Sequence, residues 1–341
     1  MRQARIAASD RFIVEEVFVP SELAEGEVLL RTAVCGICSG DLMPWYLQKK
    51  VGTVLGHEVV GWAAKVGEKV RHIKVGDLVF VHHHAPCLEC ACCRRGDHVH
   101  CPEWKQSKLD PGGMAEWIRV PAGIVRNDAF AVNDLTAEQA VFIEPLGCCA
   151  KAIKRIVACF GGTPRCGVVV GCGVMGLLNL AAARVAGVQS LYAVEPDGER
   201  RRLAQWFADA AVFTPEEAAE QLRQRADFVI VGPGHPEVIR QSLAYIRPGG
   251  CALLFTPTPT GETTALDLGE LYFREISIVP SYSCGPDDTR QAYTWLRRRS
   301  IQPEKLVTHR FGIDQVQQAY ETARSGGSAL KILVAMCREK P

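Results

Sequence analysis

The chain has 341 residues, with 39 Lys plus Arg against 38 Asp plus Glu and a formal net charge of +1. That balance gives no electrostatic reason to bind nucleic acid or an anionic membrane, so the expected partner is a small molecule. The length favours two domains, with a single α/β barrel as the alternative, and no run of about 18 apolar residues or basic-then-apolar leader occurs, which predicts a soluble, cytoplasmic protein.

Residues 1–150 contain short β-type runs, such as Glu27 to Arg31 and Asp77 to Val81, separated by glycine turns and a Cys/His-dense loop. They predict a β-rich first domain. Within it Cys38, His57 with Glu58, and further on Glu144, form a dispersed set of a soft thiolate, an imidazole and carboxylates. Three such ligands suit a catalytic zinc with one position left open, although each residue alone reads more simply as structural.

Cys87, Cys90, Cys93 and Cys101 follow at C-x2-C-x2-C-x7-C spacing. Four thiolates in one loop wrap a tetrahedral metal completely, so this zinc is expected to be structural, with Cys92 a spare. An iron–sulfur cluster is the alternative, disfavoured because nothing else suggests an electron partner. The chain carries 15 cysteines. Such clustering argues for reduced thiols, and Cys35, Cys159, Cys166, Cys251 and Cys337 read as small buried hydrophobes.

From about residue 165 the pattern alternates. Val168 to Val170 reads as a buried strand, Val174 to Ala186 as a helix, Leu191 to Val194 as a second strand and Phe228 to Val231 as a third. A helix over Pro236 to Tyr245, a turn at Pro248-Gly249-Gly250 and a strand at Ala252 to Phe255 come next. This is the signature of a doubly wound parallel sheet.

Gly171-Cys172-Gly173-Val174-Met175-Gly176 fits G-x-G-x-x-G between a strand and a helix, where glycines let the backbone approach a pyrophosphate at the helix N-terminus. Glu195 lies 24 positions after Gly171, where an acid hydrogen-bonds the ribose and repels the extra phosphate of NADP. NAD is therefore expected over NADP. Arg200, Arg201 and Arg202 are the counter-signal, as charges able to attract that phosphate. Helices at Asp287 to Arg299 and Ile313 to Ser325 and a strand at Ile332 to Ala335 either extend this sheet or return to the first domain.

Gly36-Ile37-Cys38, Gly56-His57-Glu58, Val75-Gly76-Asp77, the cysteine loop, Gly112 to Glu116, Glu144-Pro145-Leu146, the glycine fingerprint, Arg247 to Gly250 and Val307 to Arg310 run through nearly the whole chain. In this order the sequence resembles the zinc-dependent medium-chain alcohol dehydrogenase superfamily, in its sorbitol, polyol and threonine dehydrogenase branch. The resemblance implies a GroES-like catalytic domain over 1–150 and 286–341, a Rossmann domain over 151–285, and a homodimer or homotetramer. It implies Cys38 and His57 as catalytic zinc ligands with Glu144 as the third or one water away, Glu58 supporting the shell or alternating as a ligand, and Lys331 as a cofactor pyrophosphate contact.

Two departures weaken the usual proton relay. The family's Cys-Gly-(Ser/Thr)-Asp is here Cys38-Ser39-Gly40-Asp41, and Met43 stands where a relay histidine is common. Ser39 with water, Glu144 and the His82-His83-His84 triplet are the remaining proton carriers. His83 takes a position that is usually bulky and apolar, and with Trp45 and Tyr46 predicts a polar pocket for a polyol, sugar or amino alcohol. The competing readings are a nucleotide-binding protein that has lost turnover and a zinc-independent quinone or enoyl reductase.

Overall fold

The computed structural model describes residues 1–20 and 22–337, so the last four residues of the expected 286–341 segment lie outside it. The chain divides into two compact units, residues 1–147 with 284–341, and residues 148–283. Among the described residues no helix is long and apolar enough to cross a membrane.

In chain order the strands of the first stretch are β1 (Arg2–Ala8), β2 (Arg11–Glu16), β3 (Val28–Gly36), β4 (Glu58–Val66), β5 (Leu78–His82), β6 (Trp117–Val120) and β7 (Ala129–Ala131). The middle stretch supplies β8 (Cys166–Val170), β9 (Ser190–Val194), β10 (Ala211–Phe213), β11 (Ala226–Val231), β12 (Ile246–Leu254) and β13 (Ser277–Pro280), and the last stretch β14 (Val307–Gly312) and β15 (Lys331–Ala335).

The first unit is built on a seven-stranded sheet of order β14-β15-β3-β4-β5-β7, with β6 also paired to β3 and β1-β2 forming a separate hairpin. Its core gathers side chains such as Ile6, Leu30, Val59, Val79, Ile118 and Val334, all within a few per cent of full burial. The final strand therefore returns to the first sheet, with β15 antiparallel to β3. Antiparallel register sets Gly36 opposite Glu58, and Glu58 opposite His82. One row across three strands thus aligns the chain segments that carry the dispersed ligands.

The second unit is a six-stranded parallel sheet in the order β10-β9-β8-β11-β12-β13. Numbered within the unit this is 3-2-1-4-5-6, the Rossmann arrangement, whose switch point lies between β8 and β11. Buried on both faces, β11 needs the unbroken apolar run Phe228 to Val231. The expected turn at Pro248-Gly249-Gly250 lies inside β12. Ala226 faces Ile246 while Phe228 faces Cys251, so the extra residues form a bulge and the strand continues.

Candidate active site and cofactor loop

Cys38 follows β3 and caps a 3-10 turn, Ser39–Leu42, its sulfur accepting the Gly40 amide at 3.4 Å. His57 immediately precedes β4, and Glu58 begins it. The ligand atoms of Cys38, His57 and Glu58 all lie within 4.8 Å of one another. Asp41 is buried, with Oδ2 3.3 Å from His57 Nδ1. Burial disfavours the His57 imidazolium, but Asp41 and Cys38 outweigh it and raise the His57 pKa well above its usual value. Burial raises the Cys38 thiol, with His57 opposing. A carboxylate on the far nitrogen of a ligating imidazole is the arrangement that fixes its orientation for a metal.

The Lys331 ammonium pairs with Glu58 Oε2 and also donates to the Ile37 carbonyl at 3.4 Å. Lys331 and Glu58 are 2% and 1% exposed. Lys331, which the resemblance places at a cofactor pyrophosphate, here neutralises a buried carboxylate that burial without a partner would penalise heavily. A side chain at Gly36 would overlap Glu58 Oε2 at 2.3 Å and Lys331 Cε at 2.8 Å, so this pair requires the glycine.

Glu144, expected as the third ligand or one water away, opens the helix Ile143–Phe160, and its carboxylate lies within 4.8 Å of ligand atoms of His82 and His83. Of the two carboxylates considered, Glu58 is the one beside Cys38 and His57. The His83 ring lies 4.9 Å from that of His57, and burial together with His82, His57 and His84 lowers its pKa well below the usual value. Trp45 and Tyr46 sit half-buried in the short helix Pro44–Leu47, with Lys49 and Lys50 over their rings at 5.5 and 5.2 Å. Ser39 is exposed, and no hydrogen bond ties its hydroxyl to the cluster among the described residues.

In the cysteine loop the Sγ separations are 3.8 Å for Cys87–Cys93, 3.5 Å for Cys90–Cys93 and 3.6 Å for Cys101–Cys87. A tetrahedral zinc with bonds of about 2.3 Å sets its sulfurs about 3.8 Å apart, so the loop fits the ion. Backbone amides of Glu89 and Cys90 point at Cys87 Sγ, and that of Cys87 at Cys101 Sγ. Of the cysteines expected to be buried, Cys35 and Cys251 are, Cys166 and Cys337 are half-buried, and Cys159 is exposed.

The second unit carries the glycine loop between β8 and the helix Val174–Val185. Gly171 has φ +91°, and a side chain at Gly176 would sit 1.8 Å from the Gly171 carbonyl, so the fold itself demands both glycines. Beside Gly173 a side chain would meet no protein atom within 4 Å. No described residue requires that glycine, whereas a pyrophosphate lying on the loop would. Glu195, buried at the end of β9, accepts the Cys172 amide at 2.7 Å and the Asp197 amide at 3.0 Å. Asp197 caps the next helix by accepting the Arg200 amide. Arg201 donates to the carbonyls of Glu195 and Pro196. Burial and then Glu195 push the Cys172 thiol up to about 12, with Arg200 and Arg201 opposing.

Missed in the sequence are Asp41 as the partner of His57, Asp128 as the partner of His82, and Cys284. Asp41 had a signal, three positions after Cys38 on one turn. The others had none.

The Alcohol dehydrogenase GroES-like domain family matches residues 24–128, and the Glucose dehydrogenase C-terminus family matches residues 137–335. The chain belongs to the zinc-dependent medium-chain alcohol dehydrogenase superfamily. It is 29% identical over 338 residues to L-threonine 3-dehydrogenase of Bacillus subtilis (strain 168) and 27% identical over 341 residues to sorbitol dehydrogenase of Bombyx mori, with 94% of each chain covered in both cases. Alcohol dehydrogenase TADH from Thermus sp. ATN1 has the same fold, with a TM-score of 0.85 at 24% identity over 98% of this chain and 99% of that one. The GroES-like and Rossmann classes are thus shown, and the protein is an oxidoreductase acting on an alcohol carbon.

Proposed function

We propose that this dehydrogenase oxidises a polar alcohol, of the polyol, sugar or amino alcohol class, and prefers NAD to NADP. Cys38, His57 and Glu58 would hold the catalytic zinc, and the four-cysteine loop a structural one. When bound, zinc supplies Lewis-acid polarisation of the substrate hydroxyl, and the nicotinamide ring accepts the hydride. The observation that carries the reading is the convergence of the ligand atoms of Cys38, His57 and Glu58 within 4.8 Å of one another, next to a polar side chain, His83.

The chain's own residues then divide the work. Asp41 holds the His57 ring. Lys331 balances Glu58. His83, kept neutral by burial, offers a hydrogen bond to a second hydroxyl or an amino group, which a simple aliphatic alcohol lacks. In the other unit Glu195 accepts from ribose hydroxyls, and its charge opposes a 2′-phosphate. Neither Gly40 nor Met43 can carry a proton, so Ser39 with solvent is at most the outer step of its exit. The threonine and sorbitol dehydrogenase relatives support this substrate class.

An NAD-coupled screen across sugars, polyols, amino alcohols and their phosphates tests the proposal. Turnover with a polar member, faster with NAD than with NADP and abolished by Cys38→Ser, is expected. Failure across the panel would sink it. Glu195→Ala is expected to lower kcat/KM for NAD by about tenfold or more, through lost charged hydrogen bonds, and to narrow the gap to NADP.

We further propose a homodimer joined at β13. That strand is the outer edge of its sheet, and Leu268, Tyr272 and Phe273 beside it are 73%, 77% and 85% exposed. A twofold axis would pair the edge with itself and cover these side chains together. Sedimentation of Phe273→Asp as a monomer is the expected result, and a wild-type monomer would rule the dimer out.

A further inference from the structure

The core of the first unit holds one polar atom that its packing does not explain. The helix Val316–Ser325 turns Val316, Ala319 and Tyr320 into that core, and Tyr320 is fully buried. Its ring stacks on Phe12, with centroids 4.0 Å apart and 24° between the planes. Phenylalanine would fill the same space. The Tyr320 hydroxyl is sealed from solvent and has no hydrogen-bond partner among the described residues, a state that costs stability unless an acceptor answers it.

Asp41 presents the complementary orphan. The helix packs against the 3-10 turn Ser39–Leu42 that carries this residue. Asp41 is 1% exposed; among the described residues its Oδ1 has no hydrogen-bond partner, and its Oδ2 has only the ion-pair approach of His57 Nδ1 at 3.3 Å. After burial, Asp41 is the strongest of the charges that keep the Tyr320 hydroxyl protonated, ahead of Cys35, Cys38 and Glu58. A buried donor thus stands near a buried carboxylate with no direct hydrogen bond between them. Buried polar atoms just beyond direct reach of each other are the pairs that one water joins.

We propose that Tyr320 is a positioning residue of the Cys38–His57–Glu58 centre, its hydroxyl donating through one buried water to Asp41 Oδ1, a role that rests on the proposed function of that centre. The direction of each bond follows from the groups involved. The phenol donates to the water, the water donates to the carboxylate, and the carboxylate accepts from His57 Nδ1. With Oδ1 held by the water, Oδ2 is kept toward His57, and the imidazole keeps its orientation for a ligand bond. Without the hydroxyl, the Asp41 carboxylate is free to turn and the ring loses that support. Tyr320 acts on the centre only through Asp41.

Tyr320→Phe tests this, because it keeps the ring on Phe12 and removes only the hydroxyl. Zinc affinity at the Cys38 centre is expected to fall about fivefold, the worth of one neutral hydrogen bond, while the cysteine-loop ion is released as before. In an Asp41→Ala background the same substitution should change that affinity by less than about twofold, since the group it acts through is gone. A purely structural role would give the same loss in both backgrounds. Equal losses, or an affinity in Tyr320→Phe equal to wild type or tighter, overturn the proposal. Crystals of the unmodified protein, at a resolution that shows ordered water, provide a second measurement that does not depend on the metal. A water within hydrogen-bond distance of both Tyr320 Oη and Asp41 Oδ1 is expected, and its absence overturns the proposal whatever the variants do. If no zinc binds at Cys38, His57 and Glu58, the proposed function fails, while the water still decides the link from Tyr320 to Asp41.

Discussion

The cysteine loop draws its four ligands from fifteen consecutive residues, Cys87 to Cys101, and hangs them on short turns. Cys38, His57 and Glu58 come from the ends of two strands, supported by Lys331 from the far end of the chain and by Asp41 from a 3-10 turn. Both proposed centres would present thiolates to a metal, but only the first has its geometry in local sequence. The second exists when the β3–β4 register is formed and not before. It follows that the loop should bind metal as a semi-independent element, while the dispersed centre should respond to anything that disturbs the sheet.

Substituting one ligand in each centre gives the largest separation. Cys38→Ser should remove one metal and lower kcat by about a thousandfold or more, the loss of several kcal/mol of charge stabilisation, with thermal stability little changed. Cys93→Ala should do the reverse. Losing the loop metal should cost on the order of 4 kcal/mol and lower Tm, while kcat per folded molecule holds within a few-fold. Calorimetry and metal analysis of both variants check the contrast. If Cys93→Ala abolished turnover in molecules that remain folded, the two centres would be coupled and the comparison would fail.

A smaller effect separates ligands from the groups that orient them. Asp41→Asn keeps size but removes the charge beside His57, and is expected to weaken zinc at the dispersed centre by about ten- to a hundredfold while leaving the loop ion untouched. Competition with a chelator, with the phases of zinc release assigned through the Cys38→Ser and Cys93→Ala variants, follows the ion of each of these two centres separately. Only the dispersed-centre phase should accelerate.

What the sequence discloses follows the same divide. Cys87 to Cys101, Gly171 to Gly176 and Val168 to Val170 are legible because the residues that act together are neighbours in the chain. The parallel character of the second sheet follows from its alternating pattern, but its strand order does not. The dispersed centre is legible as a set of residues but not as a ranking: spacing cannot tell that Glu58 lies with Cys38 and His57 while Glu144 lies with His82 and His83. Lys331 is tied to the cofactor only through the resemblance, and spacing gives no sign that the fold buries it against Glu58, 273 residues away. His82 and Asp128 are 46 residues apart, and no pattern links them. A bulge in β12, where a turn was expected, shows the same limit at small scale, because pairing with β11 outweighs the local preference of Pro-Gly-Gly.

The smallest expected effect concerns Ser39. A hydroxyl that relays the substrate proton contributes about a hundredfold or more to the rate, so Ser39→Ala would be severe if Ser39 did that work. In the structure it lies exposed on the solvent side of the turn that follows Cys38, and where the side chain meets bulk water, solvent can take its part. The expected outcome is a kcat within about twofold of wild type, with no change in the solvent isotope effect, since water already serves at that distance. A hundredfold loss would move the proton path onto the dispersed centre's own turn, making its chemistry as local as the cysteine loop's metal.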